Sequence, residues 1–272
     1  MRLGLIGFGN IATALLDLLA RGGPLDHLAV LVLPGMEADA RRRLEGDLAG
    51  AARSHAVVTD AAALLAERPG LVVECAGHAA AQAHVPAVLR AGVDVILVSI
   101  GALADPALEA ALRAAAAEGG ARLVLPAGAV GAIDLLSALG AGGGVKVRYR
   151  GAKPPAAWAG TPAAGMLDLG ALTEARVFFT GTAREAATAY PRNANVAATL
   201  ALAGAGFEET QVELVADPAA PGNVHEYTVA SPLANYTIRI ENRPSEGNAK
   251  TSATTIYSVL REIRNRLGPV AI

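Results

Sequence analysis

Cysteine and lysine are scarce in this chain of 272 residues, and each scarcity limits what the chain can do. The single cysteine, Cys75, has no partner for an intramolecular disulfide, so a disulfide-stapled scaffold is ruled out. Cys75 and five scattered histidines, His27, His55, His78, His84 and His225, lack the close spacing of a zinc site, and no metal is expected. Lysine occurs only at Lys146, Lys153 and Lys250, which narrows any search for a functional amine. The near-balanced charge, net -2 with a pI near 6.2, gives no global attraction to phosphate backbones or anionic lipid. Nucleic acid and membrane surface are therefore poor partners, and small molecules are the expected ones. No run approaches the ~18–20 uninterrupted apolar residues of a bilayer-spanning helix. The richest stretch, 93–103, is broken by Asp94 and Gly101. The first apolar run, 3–6, is too short for a signal-peptide core, so the cytoplasm is the expected setting.

What is present is a folding composition: 53% hydrophobic and 18% charged residues, with mean hydropathy +0.38. The length accommodates one large domain or two modest ones. Residues 1–126 alternate short β-rich runs with Ala- and Leu-rich segments of helical period, the rhythm of strand–helix–strand units around a parallel sheet. Strands are expected at 2–6, 28–33, 56–59, 71–75, 93–98 and 122–125. Helices are expected at 11–21, 37–48, 61–67, 79–91 and 106–118, two of them announced by Thr59-Asp60 and by Asp105-Pro106. From residue 127 Gly, Pro and Thr become frequent and alternating strand patterns take over. The fold class is thus α/β, an N-terminal Rossmann-type parallel-sheet domain followed by a C-terminal α+β domain with a mixed or antiparallel sheet. The divisions read 1–126 for dinucleotide binding, 127–248 for substrate and catalysis, and 249–272 for a terminal helix that packs back on the first domain. Within the second part, strands are expected at 145–153, 175–181, 211–216, 226–229 and 235–241, with one helix at 194–204 between them and another at 251–266. Tyr236, Ile238 and Ile240 alternate with Thr237, Arg239 and Glu241, as in a half-buried antiparallel strand, and Ser231-Pro232-Leu233-Ala234 would turn it back on its predecessor.

Gly7-Phe8-Gly9-Asn10-Ile11-Ala12 follows an expected strand and opens an expected helix, the setting in which a G-x-G-x-x-A string reads as a dinucleotide fingerprint. Gly7 permits the turn, Gly9 removes the Cβ that would meet the pyrophosphate, and the first amides of the helix, at Asn10 and Ile11, face the phosphates. An acidic ribose partner belongs about 20 residues further on. The second strand instead runs out as Leu33-Pro34-Gly35, with Glu37 and Asp39 a little late. Arg41-Arg42-Arg43 could meet a 2′-phosphate, but the simpler reading places all three on a solvated helix face. NAD and NADP both stay open. Cys75-Ala76-Gly77-His78 lies at the carboxyl end of the fourth strand, where Ala76 lets a nicotinamide or ribose approach and Cys75 reads as a buried, inert thiol rather than a nucleophile. Ser99-Ile100-Gly101-Ala102 ends the fifth strand in the same way.

In the second part, His225 stands before an expected strand, after the loop 219–223. A histidine there is either a surface or packing residue or an acid–base group, since its ordinary pKa of ~6.5 suits proton transfer near neutrality. Lys153, Asn193 and Lys250 lie in loops or at helix starts and offer donors for carboxylates, with helix capping by Asn193, Thr251 or Ser252 as the alternative.

Taken together, residues 7–12, the segments at 126–134, 153–155, 191–199 and 248–252, and His225-Glu226 resemble the L-aspartate dehydrogenase family across nearly the whole chain. The resemblance implies NAD(P)-dependent oxidative deamination of L-aspartate to oxaloacetate and ammonia through iminoaspartate, reversible by reductive amination, and in many settings a supply of iminoaspartate for NAD biosynthesis. It implies that His225 is the active-site histidine, that Ala129 and Asn195 touch the cofactor, and that the protein is a homodimer. The chain departs from the pattern with Ala249 where a proline stands in Asn-Pro-Lys, and in having no acidic ribose partner. The alternatives are another two-domain NAD(P)-dependent reductase of the dihydrodipicolinate reductase kind, whose paired-histidine motif is missing here, and a non-catalytic NAD(P)-binding sensor, which would need no proton-transfer residue.

Overall fold

The computed structural model describes residues 1–191, 195–245 and 248–271, with side chains 244–245 and 248–251 outside the description. Two compact units are formed, one by Met1–Pro126 with the chain from Ile256 onward, the other by Ala127–Thr255.

In the first unit, six parallel strands, β1 (Arg2–Ile6), β2 (His27–Leu31), β3 (His55–Val58), β4 (Leu71–Glu74), β5 (Val95–Leu97) and β6 (Leu123–Val124), lie in the order β3-β2-β1-β4-β5-β6. This is the doubly wound arrangement, whose strand order reverses beside β1, so ligands bind at the carboxyl ends of β1 and β4. The crossovers carry α1 (Asn10–Ala20), α2 (Glu37–Glu45), α3 (Ala61–Ala66), α4 (His78–Arg90) and α5 (Pro106–Gly119). Asp60 caps α3 by accepting from the Ala63 amide at 2.8 Å, and Asp105 caps α5 with Pro106 at its first position. β1, β2, β4 and β5 are almost wholly buried, as strands covered on both faces must be. His27 opens β2 buried, with Nε2 2.9 Å from Glu67 and Nδ1 2.8 Å from Ser54 Oγ. His55 is exposed.

The second unit begins with α6 (Ile133–Gly142) and β7 (Lys146–Lys153), continues through β8 (Arg176–Thr182), α7 (Ala183–Ala189) and α8 (Asn195–Ala203), and ends in β9 (Gln211–Ala216), β10 (Asn223–Ala230), β11 (Asn235–Asn242) and a short ladder of β12 (Pro244–Ser245) with β13 (Asn248–Ser252). Its main sheet runs β11-β10-β7-β9-β8, with β7 and β9 parallel and the other pairs antiparallel. The turn between β10 and β11 closes where Ser231 donates its amide to Ala234 O at 3.2 Å. Helices α6 and α7 and the β12–β13 ladder are additional to the elements expected from the sequence. β10 also starts three residues earlier than expected, so His225 lies inside a strand and not before one.

The last helix, α9 (Ala253–Leu267), sends Ile256, Val259, Leu260 and Ile263 into the first unit's core beside Leu3, Leu28 and Val73. That i, i+3, i+4, i+7 spacing forms one apolar stripe. Arg266 at its end pairs with Asp94.

Candidate active site

The first cluster of functional residues gathers at the carboxyl edge of the parallel sheet. Gly7 leaves β1 at φ +95°, and a Cβ there would stand 2.7 Å from that of Ala76, so both the turn and the close approach of the next loop demand glycine. A Cβ on Gly9 would meet nothing within 4 Å, and no side chain caps the start of α1 that Gly9 precedes. A helix start that faces open space fits a pyrophosphate. Ala12, fully buried, lets α1 lie close on the sheet. Beside the turn opens a largely apolar cavity of about 280 Å³, walled by Leu31, Val32, Met36, Ala40, Ala76 and His84 among others.

Arg43 does not join the solvated helix face with its neighbours. Its guanidinium lies 4.5 Å over the Phe8 ring, donates to Phe8 O at 3.0 Å and lines this cavity. Arg41 and Arg42 are exposed, Arg42 pairing with Asp39, which also borders the cavity.

Glu74 belongs to none of the sequence motifs. Its carboxylate is completely buried at the end of β4, where Oε1 accepts from the amides of Ala76 and Gly77, both at 2.8 Å, and from Ser99 Oγ at 3.0 Å. Oε2 accepts from the Ser99 amide at 3.1 Å. Burial pushes its pKa above the ordinary carboxylate value, and the three backbone amides oppose that rise. Glu74 thereby ties the loop after β4 to the end of β5. The available signal was a lone ionisable residue closing the apolar run Leu71-Val72-Val73. Cys75 follows it, its thiol against Ile6 O at 3.6 Å, and burial and the Glu74 charge raise its pKa further from thiolate formation.

The second cluster lies on one face of the five-stranded sheet. Tyr149, Gly151 and Lys153 alternate along β7, and register sets Tyr149 opposite Tyr227 and Gly151 opposite His225. Asn223 pairs with Asn242 on β11, extending the same face. One end of this face is apolar, with Val147 and Val229, and the other carries buried His225, Lys153, Asn223 and Asn242. His225 Nδ1 is 2.8 Å from the Tyr149 hydroxyl. Burial, with the charge of Lys153 adding to it, lowers the His225 pKa to about 3, so the imidazole is neutral at pH 7. The Lys153 ammonium sits 5.2 Å over the Trp158 ring. Asn242 Nδ2 donates to Ala129 O at 2.8 Å, and the Tyr227 hydroxyl donates to Gly131 O at 2.6 Å, so the strap leading into α6 is pinned at both ends. Ala132, next along, has φ +53°, a strained backbone for a residue with a Cβ. Asn223 Nδ2 reaches Ser252 Oγ at 3.0 Å.

Of the residues singled out from sequence, Gly7, Gly9, Asn10, Ile11 and Ala76 come together in the first unit, and His225, Lys153 and Ala129 lie in the second. Asn195 begins α8. Asn193 and the Lys250 side chain lie outside the described residues. Tyr149, Asn223, Asn242, Glu74 and Arg43 are the polar neighbours that sequence reasoning missed or set aside. Among the described residues no group of three or more His, Cys, Asp or Glu could hold a metal, and no helix is long and apolar enough to cross a membrane.

A doubly wound sheet with a glycine turn at the end of its first strand, followed by a mixed-sheet unit holding a buried histidine and lysine, defines a two-domain NAD(P)-dependent oxidoreductase. Residues 7–126 match the family model described as the NAD-binding domain of homoserine dehydrogenase, and residues 134–266 match the C-terminal domain model of aspartate dehydrogenase. The chain belongs to the L-aspartate dehydrogenase family. It is 45% identical to the L-aspartate dehydrogenase of Pseudomonas aeruginosa over 268 residues, 98% of each chain, and 42% identical to that of Cupriavidus necator over the full length of both. Among solved structures, the aspartate dehydrogenase of Thermotoga maritima matches with a TM-score of 0.74 and 29% identity, covering 100% of this chain and 99% of that one.

Proposed function

We propose that the protein catalyses the reversible oxidative deamination of L-aspartate: L-aspartate, NAD(P)+ and water give oxaloacetate, ammonia, NAD(P)H and a proton, through iminoaspartate. The observation that carries this reading is the buried His225, hydrogen-bonded to Tyr149, in the unit matched by the aspartate dehydrogenase model. When bound, the nicotinamide supplies the hydride acceptor for the substrate α-carbon. The turn Gly7–Gly9 with the amides of Asn10 and Ile11 cradles the pyrophosphate, and the cavity beside Phe8 and Arg43 receives the adenosine. Ala76, Ala129 and Asn195 contribute further cofactor contacts. Lys153, Asn193 and Lys250 hold the two carboxylates of aspartate. His225 accepts a proton from the water that attacks the imine carbon and delivers it to the departing amine. Positioned acid–base catalysis of this kind contributes about 10²–10⁴-fold.

The family resemblance further supports a homodimer working in the cytoplasm, and iminoaspartate drawn off before hydrolysis as a supply for NAD biosynthesis. The test is NAD(P)H oxidation with oxaloacetate plus ammonium, omitting each in turn and running both cofactors. Oxidation that requires both substrates is expected. Cofactor binding without oxidation under any combination sinks the proposal and favours a sensor.

A further inference from the structure

We propose that Tyr149 is a positioning residue for this reaction: its hydroxyl engages Nδ1 of His225 and leaves Nε2 as the ring nitrogen that exchanges protons with the reacting water and amine. The inference deepens the reading of His225 given above and rests on it.

The geometry is built by the sheet. His225 on β10 is directly opposite Gly151 on β7, and Tyr149 lies two residues before Gly151 on the same face. To reach His225, the phenol must pass over position 151. A Cβ there would stand 2.5 Å from the Tyr149 hydroxyl oxygen and 3.0 Å from the ring carbon that bears it, so the hydroxyl has its path only because residue 151 has no side chain. The resulting hydroxyl–Nδ1 separation is 2.8 Å, with Tyr149 2% and His225 3% exposed. The two rings lie 6.0 Å apart at an interplanar angle of 24°, so the phenol also restricts the imidazole plane.

A hydroxyl suits this position because it both donates and accepts. It accepts from Nδ1–H while Nε2 offers its lone pair as a base, and it keeps that bond once Nε2 has taken a proton from water. In the other neutral tautomer, with the proton on Nε2, it donates to Nδ1. Nδ1 is therefore engaged throughout, and the ring has no reason to flip. A carboxylate in the same place would also fix the ring, but its charge would favour the imidazolium. The neutral phenol adds no such bias, and burial keeps it protonated by raising its pKa above the usual tyrosine value.

The experiment compares Tyr149→Phe, Gly151→Ala and His225→Ala with the unaltered protein, each checked for fold by circular dichroism and for NADPH binding by fluorescence. Tyr149→Phe is expected to lower kcat about 10- to 100-fold, with KM for aspartate and Kd for NADPH within about twofold of their starting values. Gly151→Ala retains the phenol but obstructs its hydroxyl, and is expected to lower kcat in the same sense. In protein labelled with 15N-histidine, one imidazole should change its Nδ1 and Nε2 shifts in Tyr149→Phe, and the same signals should be missing from His225→Ala. Unchanged kcat in Tyr149→Phe while His225→Ala is inactive overturns the role of Tyr149 and leaves that of His225 standing. Full turnover in His225→Ala overturns the reading beneath it. A fall in kcat accompanied by weakened NADPH binding and unchanged imidazole shifts assigns Tyr149 a purely structural role and also overturns the proposal.

Discussion

The two polar clusters are built from opposite materials. At the edge of the parallel sheet, the glycine turn is shaped by backbone and missing side chains: Gly7 is confined by Ala76, and Gly9 borders open space. The buried carboxylate of Glu74 faces inward to hold backbone. On the mixed sheet the groups are side chains, Tyr149, Lys153, Asn223, His225 and Asn242, brought together from three strands by register. A cluster made of backbone is specified by a contiguous run of residues. A cluster made of side chains can draw its members from positions far apart in the chain.

The sharpest way to break the comparison is at His225. His225→Ala should lower kcat by about 10²–10⁴-fold while NADPH binding, measured by fluorescence titration, stays unchanged. Lost binding would mean that the side-chain site also carries the cofactor. The complementary break is Gly9→Ser. Serine is a better helix cap than glycine, so the thermal midpoint should hold or rise, while its side chain enters the open space and weakens NAD(P)H binding about 10- to 100-fold. Retained affinity would remove the pyrophosphate from that position.

Removing the internal support of the first site should cost stability. Glu74→Ala leaves three backbone amides and the Ser99 hydroxyl without their acceptor, and is expected to destabilise the fold by about 2–4 kcal/mol in urea unfolding. The second site should be sensitive to acid. His225 has a folded pKa of about 3 against an ordinary value near 6.5, so its contribution is complete above pH ~6.5 and is lost as pH falls toward 3. In that window the unfolded chain binds the extra proton, and stability should fall by up to about 1.4 kcal/mol per pH unit. His225→Gln should flatten that limb, and an unchanged slope would mean the imidazole is already charged in the fold. The smallest effect is expected at Arg43. Its loss in Arg43→Ala removes a stacking contact worth about 0.5–1 kcal/mol and a cation from the adenosine end, so NADPH binding should weaken a few-fold more than NADH binding. Equal losses for both cofactors would place Arg43 away from the 2′ position.

The legible features were those written in neighbouring residues. The strand, glycine turn and helix at 2–20, the caps at Asp60 and Asp105 and the turn at Ser231 all depend on residues within a few positions of one another. Helix α7 carried an equally local signal, the capping box of Thr182 and Glu185, that went unread. Helix α6 did not. Its glycines lower helix propensity, but Gly140 is needed where a Cβ would stand 2.8 Å from Ala203 O, so packing against the end of α8 overrides propensity. Arg43 was misread for a related reason: three consecutive arginines point in different directions on a helix, and only the turn at Phe8 decides which one is drawn inward.

By itself, the sequence determined the alternation of strands and helices and the glycine turn after the first strand, because hydrophobic period and local backbone chemistry need no distant partner; His225 was singled out by family resemblance. The tertiary structure alone decided that His225 is buried and neutral inside a strand, that Tyr149 reaches it across Gly151, and that Glu74 binds one loop to another. Those properties arise from sheet register and exclusion of water. Both depend on residues tens of positions apart meeting in space.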